Sequence, residues 1–224
     1  DDKGHYVTNG LAIGMTRLSI IDLLGGSQPI SNNDNSIILV CNGEIYNYLE
    51  LKDMLQKRGC VFKTNSDVEV IIHGYLEFGE SFINQLKGMF AFCLWDSKKE
   101  QIWLARDRLG IKPLYFYKNE DKFIFSSEIK AILAIDKNKK SFDHSQIRVM
   151  LSKRYTDSDK TIFNGISKVP PGNYFLINKN KVTRKTYWSL EKDSSDIKDI
   201  QSYLDQYQEK LETSITSHLI SDVP

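Results

Sequence analysis

The chain has 224 residues with 30 basic and 29 acidic side chains, a net charge of +1; that length holds one sizeable core, or one domain and the start of a second. So even a balance gives no electrostatic case for a nucleic acid or an anionic membrane as partner. No apolar run approaches the roughly twenty residues of a bilayer span, and no basic, apolar leader opens the sequence, so a cytoplasmic location is the expectation.

In chain order, Gly10-Leu11-Ala12-Ile13-Gly14-Met15 alternates small and apolar residues like a strand, and Arg17 follows it. Turn signals at Gly25-Gly26 and Gln28-Pro29 precede a second, apolar strand, Ile37 to Cys41. At its mouth stands Asn42-Gly43-Glu44-Ile45-Tyr46-Asn47. Asn-Gly after an apolar run is a common turn signal. The same residues can also place the Asn42 side-chain amide beside the Gly43 peptide N–H as a two-donor oxyanion hole, with the Glu44 carboxylate ready for an ammonium group. That is the chemistry of acyl transfer from an amino acid.

Asn47 reads as the N-cap of a helix through Leu51, Met54 and Leu55 that Gly59 ends. Ser66 and Glu69 have the spacing of a capping box for a second helix, stopping near Gly79. Asp67 in its first turn is accounted for by the helix dipole alone. His73 reads as a packing residue, since no second metal ligand sits at helical spacing from it. Cys41, Cys60 and Cys93 show no C-x-x-C spacing, which argues for reduced core residues rather than disulfides or a zinc site.

Four strand-like runs between Met89 and Ser126, separated by polar turns, predict an antiparallel meander. Arg106, Asp107 and Arg108 at a strand end read as a structural group of charges that pair with one another. A lysine-rich turn at 137–140, a helix from about Ser145 to Lys153 and a hairpin lead to Tyr187-Trp188, which closes the domain. The polar stretch 189–198 reads as a linker, and beyond it Ile197, Ile200, Leu204, Tyr207, Leu211 and Ile215 recur at helical spacing with no partner in their own segment.

Three blocks, Thr16-Arg17-Leu18-Ser19-Ile20-Ile21-Asp22, the Asn42 to Asn47 hexapeptide and Thr64-Asn65-Ser66-Asp67-Val68-Glu69-Val70-Ile71, together resemble the glutaminase domain of the glutamine-hydrolysing asparagine synthases, a class II glutamine amidotransferase. The likeness continues through Ala105 to Tyr115, Phe125-Ser126-Ser127-Glu128, Thr161 to Ile166 and Val169-Pro170-Pro171-Gly172, nearly the whole chain. The residues after Asn42-Gly43 favour this branch over the purine and hexosamine branches.

The resemblance implies an α+β fold of the N-terminal nucleophile (Ntn) hydrolase type, an αββα sandwich of two mainly antiparallel sheets. It makes 1–190 the glutaminase domain, lacking its N-terminus, and 191–224 a linker and the first helix of an ATP-dependent synthetase domain, with Ser221 to Pro224 just before a pyrophosphate-binding loop; the chain is then a fragment at both ends. Glutamine is the implied substrate. Arg17 would grip its α-carboxylate, Asp67 and Glu44 its α-ammonium, and Asn42 and Gly43 the oxyanion; Leu18, Ser19, Ile20 and Ile21 also count among the glutamine-binding residues. The nucleophile would be an N-terminal cysteine, whereas residue 1 is Asp1, and Cys41 in its apolar strand has no neighbouring base.

No metal or cofactor is implied for this domain, ATP and Mg²⁺ belonging to the synthetase domain, which would be its partner in the same polypeptide. A homodimer is left open. The alternatives are a β-lactam-synthetase-like enzyme with a non-catalytic N-terminal domain, or a glutamine-binding or scaffolding domain. The 224-residue chain by itself is expected to release no ammonia from glutamine and to associate through its unmatched apolar helix face.

Overall fold

The computed structural model describes residues 2–17, 22, 25–135, 141–179, 181–191 and 199–219. Leu18, Ser19, Ile20 and Ile21, the lysine-rich turn at 137–140, most of the linker and Ser221 to Pro224 lie outside the described residues. In order come β1 (Asp2–Thr8), β2 (Leu11–Arg17), β3 (Ile30–Ser31), β4 (Ile37–Ile45), α1 (Tyr48–Gln56) and α2 (Glu69–Phe78). A 3₁₀ turn (Gly79–Gln85) leads to β5 (Gly88–Asp96), β6 (Gln101–Arg106), β7 (Tyr115–Lys118), β8 (Phe123–Ser126) and α3 (Ile129–Ile135). Then follow α4 (His144–Lys153), β9 (Ile166–Lys168), β10 (Asn173–Asn178), β11 (Lys181–Thr186) and α5 (Ile200–His218).

The chain forms the α+β sandwich. A six-stranded sheet in the order β11-β10-β6-β5-β4-β3 is antiparallel throughout. Its central strands read as nearly unbroken apolar runs because both faces are covered. Leu39, Cys41 and Ile45 point to one side, against Leu51 and Leu55 of α1 and Val70 and Ile71 of α2. Val40, Cys93, Leu104 and Phe175 point to the other, against Ile13 of β2 and Leu114. That second layer comprises the β1–β2 hairpin and a three-stranded sheet, β8-β7-β9, with Ile132 of α3 packed on its outer side beside Tyr117 and Ile124.

The four strands expected as one meander divide between the layers: β5 and β6 pair in the large sheet, β7 and β8 in the small one. Asp107 governs the crossing. Its buried carboxylate accepts from the peptide N–H groups of Phe90 (3.3 Å), Leu109 (3.1 Å), Ile111 (2.9 Å) and Lys112 (3.0 Å), curling the chain out of β6. Arg106 donates to the carbonyls of Gly110, Lys112 and Val169, and Arg108 to those of Asn84 and Leu86. This group is structural, as expected, but its charges serve backbone rather than one another, because loop peptides turned inward offer more partners than one neighbouring side chain.

Two capping expectations also change. Asn47 precedes α1 but makes no side-chain cap; its amide bridges Gln85 O (3.0 Å) and Lys87 N (2.9 Å). The capping box is not formed, since Glu69 turns back to accept from Lys63 N, Thr64 N and Thr64 Oγ1. Gly59 and Gly79 do end their helices with positive φ, at 91° and 63°. His73 packs within α2 against Phe62 and Glu69. Tyr187 closes the domain through its hydroxyl on Arg106 O (2.9 Å). α5 has no buried residue, and its ring contact is His218 on Tyr46.

Asp107→Ala strips four peptide donors of their acceptor, that of the buried Phe90 among them. It is expected to cost on the order of 3 kcal/mol and to lower Tm by roughly 10 °C, read by thermal denaturation.

Candidate active site

The site starts from the two sides of β4. In an antiparallel ladder successive residues turn their main-chain groups alternately toward and away from a given neighbour. Asn42 and Glu44 stand opposite Ala91 and Met89 of β5, and the same parity carries Tyr46 N–H onto Lys87 O at 2.8 Å. Residues 41, 43 and 45 therefore face away from β5. Phe90, opposite Gly43, has both its main-chain groups engaged by Asp107, at 3.3 Å and 2.8 Å.

On that outer edge Cys41 N–H donates to Gln28 Oε1 (2.6 Å) and Ile45 N–H to Asp67 Oδ2 (2.7 Å). Gly43 lies between them, past the end of β3, whose last pair on this side is Ile30 with Leu39. Among the described residues no strand pairs with that stretch of edge, and the Gly43 N–H emerges there. Gly43 has φ 148°, and a Cβ there would overlap the Met89 carbonyl oxygen, so glycine is required.

Side-chain alternation gathers the rest. Val40 faces the second layer, so Asn42 and Glu44 face it too. On β2 the inward set is Leu11, Ile13, Met15 and then Arg17. A cavity of about 840 Å³ is lined by Met15 and Arg17 of β2, by Asn42, Gly43 and Glu44 of β4 and by Asp67, together with the apolar Cys93, Leu104 and Leu114. Five residues singled out in the sequence thus share one cavity. Arg17 donates to Asp22 O (3.3 Å), and the Asp22 carboxylate takes Gly25 N–H and Asn65 N–H, both at 2.9 Å. Asp22 and Gln28 therefore join the segments that carry Arg17, Asn42 and Asp67, a role the sequence reading missed; the proline after Gln28 is a local hint in the sequence, and Asp22 takes a positive φ that its residue type alone does not announce.

Asp67 is 5% exposed. Burial raises its pKa from 3.8 to about 6, opposed by the Ile45 N–H and reinforced by Glu44. Two carboxylates on the wall of a partly apolar cavity suit a cation and the Arg17 guanidinium suits a carboxylate, so the lining carries the charges that an α-amino acid would need. The Cys41 thiol is pushed well up by burial and by Asp67, and burial also raises Cys93; neither is a nucleophile. Among the described residues no group of three or more His, Cys, Asp or Glu is placed to hold a metal ion, and no helix is long and apolar enough to cross a membrane.

Known proteins resemble this chain over its whole length. Glutamine-hydrolysing asparagine synthetase 2 of Bacillus subtilis is 37% identical, over all of this chain and 31% of its own length. Asparagine synthetase B of Escherichia coli K12 is 33% identical over all of this chain and 35% of its length, and the amidase chyE of Penicillium rubens 35% identical over 33% of its length. The chain spans about a third of these relatives. The glutamine phosphoribosylpyrophosphate amidotransferase of Bacillus subtilis, solved with ADP and GMP, shares the fold with a TM-score of 0.56 at 24% identity, covering 79% of this chain and 35% of that one. The glutamine amidotransferase domain profile matches residues 1–188, and the chain belongs to that family.

Proposed function

We propose that this chain is the glutaminase domain of a glutamine-hydrolysing asparagine synthase, acting in the cytoplasm and supplying ammonia for the ATP-dependent amidation of aspartate. Residues 1–190 form that domain and 191–224 the linker and first helix of a synthetase domain, to which ATP and Mg²⁺ belong. The observation that carries the reading is the outward-facing Gly43 N–H beside Asn42, in one cavity with Arg17, Glu44 and Asp67. The family match ending at residue 188 and the absence of buried residues in α5 support the division.

In this reading the planar fork of Arg17 holds the α-carboxylate of glutamine and Asp67 and Glu44 hold its ammonium. The δ-carbonyl oxygen then lies between the Asn42 amide and the Gly43 N–H. Attack by the thiolate of an N-terminal cysteine, the nucleophile implied by the resemblance, puts negative charge on that oxygen, and the two donors stabilise it without having to reorganise. Collapse breaks the C–N bond as the proton that the cysteine's own α-amino group took from the thiol passes to the leaving nitrogen; ammonia departs, and water hydrolyses the remaining thioester to glutamate and free thiol.

In the complete polypeptide, Arg17→Ala or Asp67→Ala should raise KM for glutamine about tenfold or more while ammonia-dependent asparagine formation stays intact. Asn42→Ala should lower kcat for ammonia release by on the order of a hundredfold with little change in KM. Steady-state assays with glutamine and with ammonium salts check both; an unchanged KM for glutamine in the first pair refutes the pocket assignment. A scaffolding or binding domain would instead take up glutamine and release no ammonia at all.

Asp67 adds a pH dependence. Its folded pKa lies above its ordinary value, so its contribution to stability is complete below about pH 3.8 and is lost as pH rises through about 6, roughly 3 kcal/mol in all. A bound ammonium relieves that loss. Glutamine should therefore raise Tm more at pH 7 than at pH 5, and Asp67→Asn should flatten the difference, as differential scanning fluorimetry would show.

A further inference from the structure

We infer that Gln28 is a positioning residue of this site, its side-chain amide replacing a strand residue to hold the stretch Cys41-Asn42-Gly43 where both oxyanion donors converge. The inference rests on the glutaminase reading and adds to it a residue that would not touch the reacting atoms. β3 supplies only two residues to the edge of β4, Ile30 opposite Leu39 and Ser31 opposite Ile38. Continuing that register by two residues brings position 28 opposite Cys41, where the two backbones do not pair. There the Gln28 side chain takes over: Nε2 donates to Cys41 O at 3.0 Å and Oε1 accepts from Cys41 N–H at 2.6 Å. A carboxamide is the side-chain group that carries the donor and acceptor of a peptide. Gln28 is 7% exposed, so its bonds meet little competition from water.

The segment is anchored at both ends. A Cβ on Gly26 would lie 2.7 Å from Arg17 Nη2, and one on Gly4 of β1 would overlap the Gln28 carbonyl oxygen. Residues 26–28 therefore lie against the α-carboxylate grip on one side and the oxyanion strand on the other, and they set the separation between the two. Along the edge, the Gln28 clamp at Cys41 and the Asp67 clamp at Ile45 leave Gly43 as the midpoint of a peptide stretch held on both sides.

Gln28→Met keeps the length and volume of the side chain but neither hydrogen bond. In the complete polypeptide it is expected to lower kcat for ammonia release from glutamine by roughly ten- to a hundredfold, with KM within about twofold. Gln28→Glu, which keeps an acceptor for Cys41 N–H, should recover part of that rate. Ile30→Ala serves as the control: it loosens the same edge and lowers Tm without the loss in kcat. Hydrogen exchange gives a readout free of catalysis, faster by about tenfold at Cys41 in Gln28→Met and unchanged at Leu39. An unchanged kcat, a rise in KM alone, or an equal kcat loss in Ile30→Ala overturns the positioning role. A wild-type enzyme that releases no ammonia removes the glutaminase reading instead, and unchanged exchange in Gln28→Met then overturns the clamp by itself.

Discussion

The hydrogen bonds between Asp107 and Phe90 decide on which side of β4 the Gly43 peptide emerges. With both main-chain groups of Phe90 turned to Asp107, the alternation of the β4–β5 ladder leaves residues 41, 43 and 45 on the outer edge. A one-residue slip would turn Gly43 inward, bring Asn42 onto the helical face and bury Glu44 among leucines and isoleucines. The same carboxylate ends β6 and curls the chain into the second layer. One buried anion thus sets the register of the site and the path of the backbone that roofs it.

A second constraint is electrostatic. Asp67 is taken out of water by the start of α2, close to Glu44, and receives only partial relief from the Ile45 N–H. An empty site therefore stores an unfavourable interaction that an ammonium group discharges, and binding selectivity for a cation follows from burial as much as from shape. Arg17 lines the same cavity, so a zwitterion would satisfy both needs at once.

Much of this was readable from residue order. Period two on β2 and β4 places Ile13, Met15 and Arg17 on one face and Val40, Asn42 and Glu44 on the face opposing it, and Gly59 and Gly79 mark helix ends by conformational freedom alone. What was not readable is long-range. Local alternation identifies β5 through β8 as strands but carries no information on which sheet each joins. Ser66 and Glu69 have capping-box spacing, yet the Lys63-Thr64 peptides claim the Glu69 carboxylate first. Asn47 has a cap's chemistry, and the Gln85–Lys87 backbone reaches its amide before the helix does. Gln28 is the extreme case, since a side chain standing in for a strand leaves no periodicity behind.

The interior placement of Cys41 and Cys93 has a practical consequence for reagent selectivity. Both thiols are enclosed and held in the neutral form, and Cys60 is also shifted upward. Alkylating agents consume thiolate, so at neutral pH these three react slowly in the folded state. An activated cysteine elsewhere in the polypeptide would be labelled against a nearly silent background, and its occupancy could be counted by mass without mutating the others.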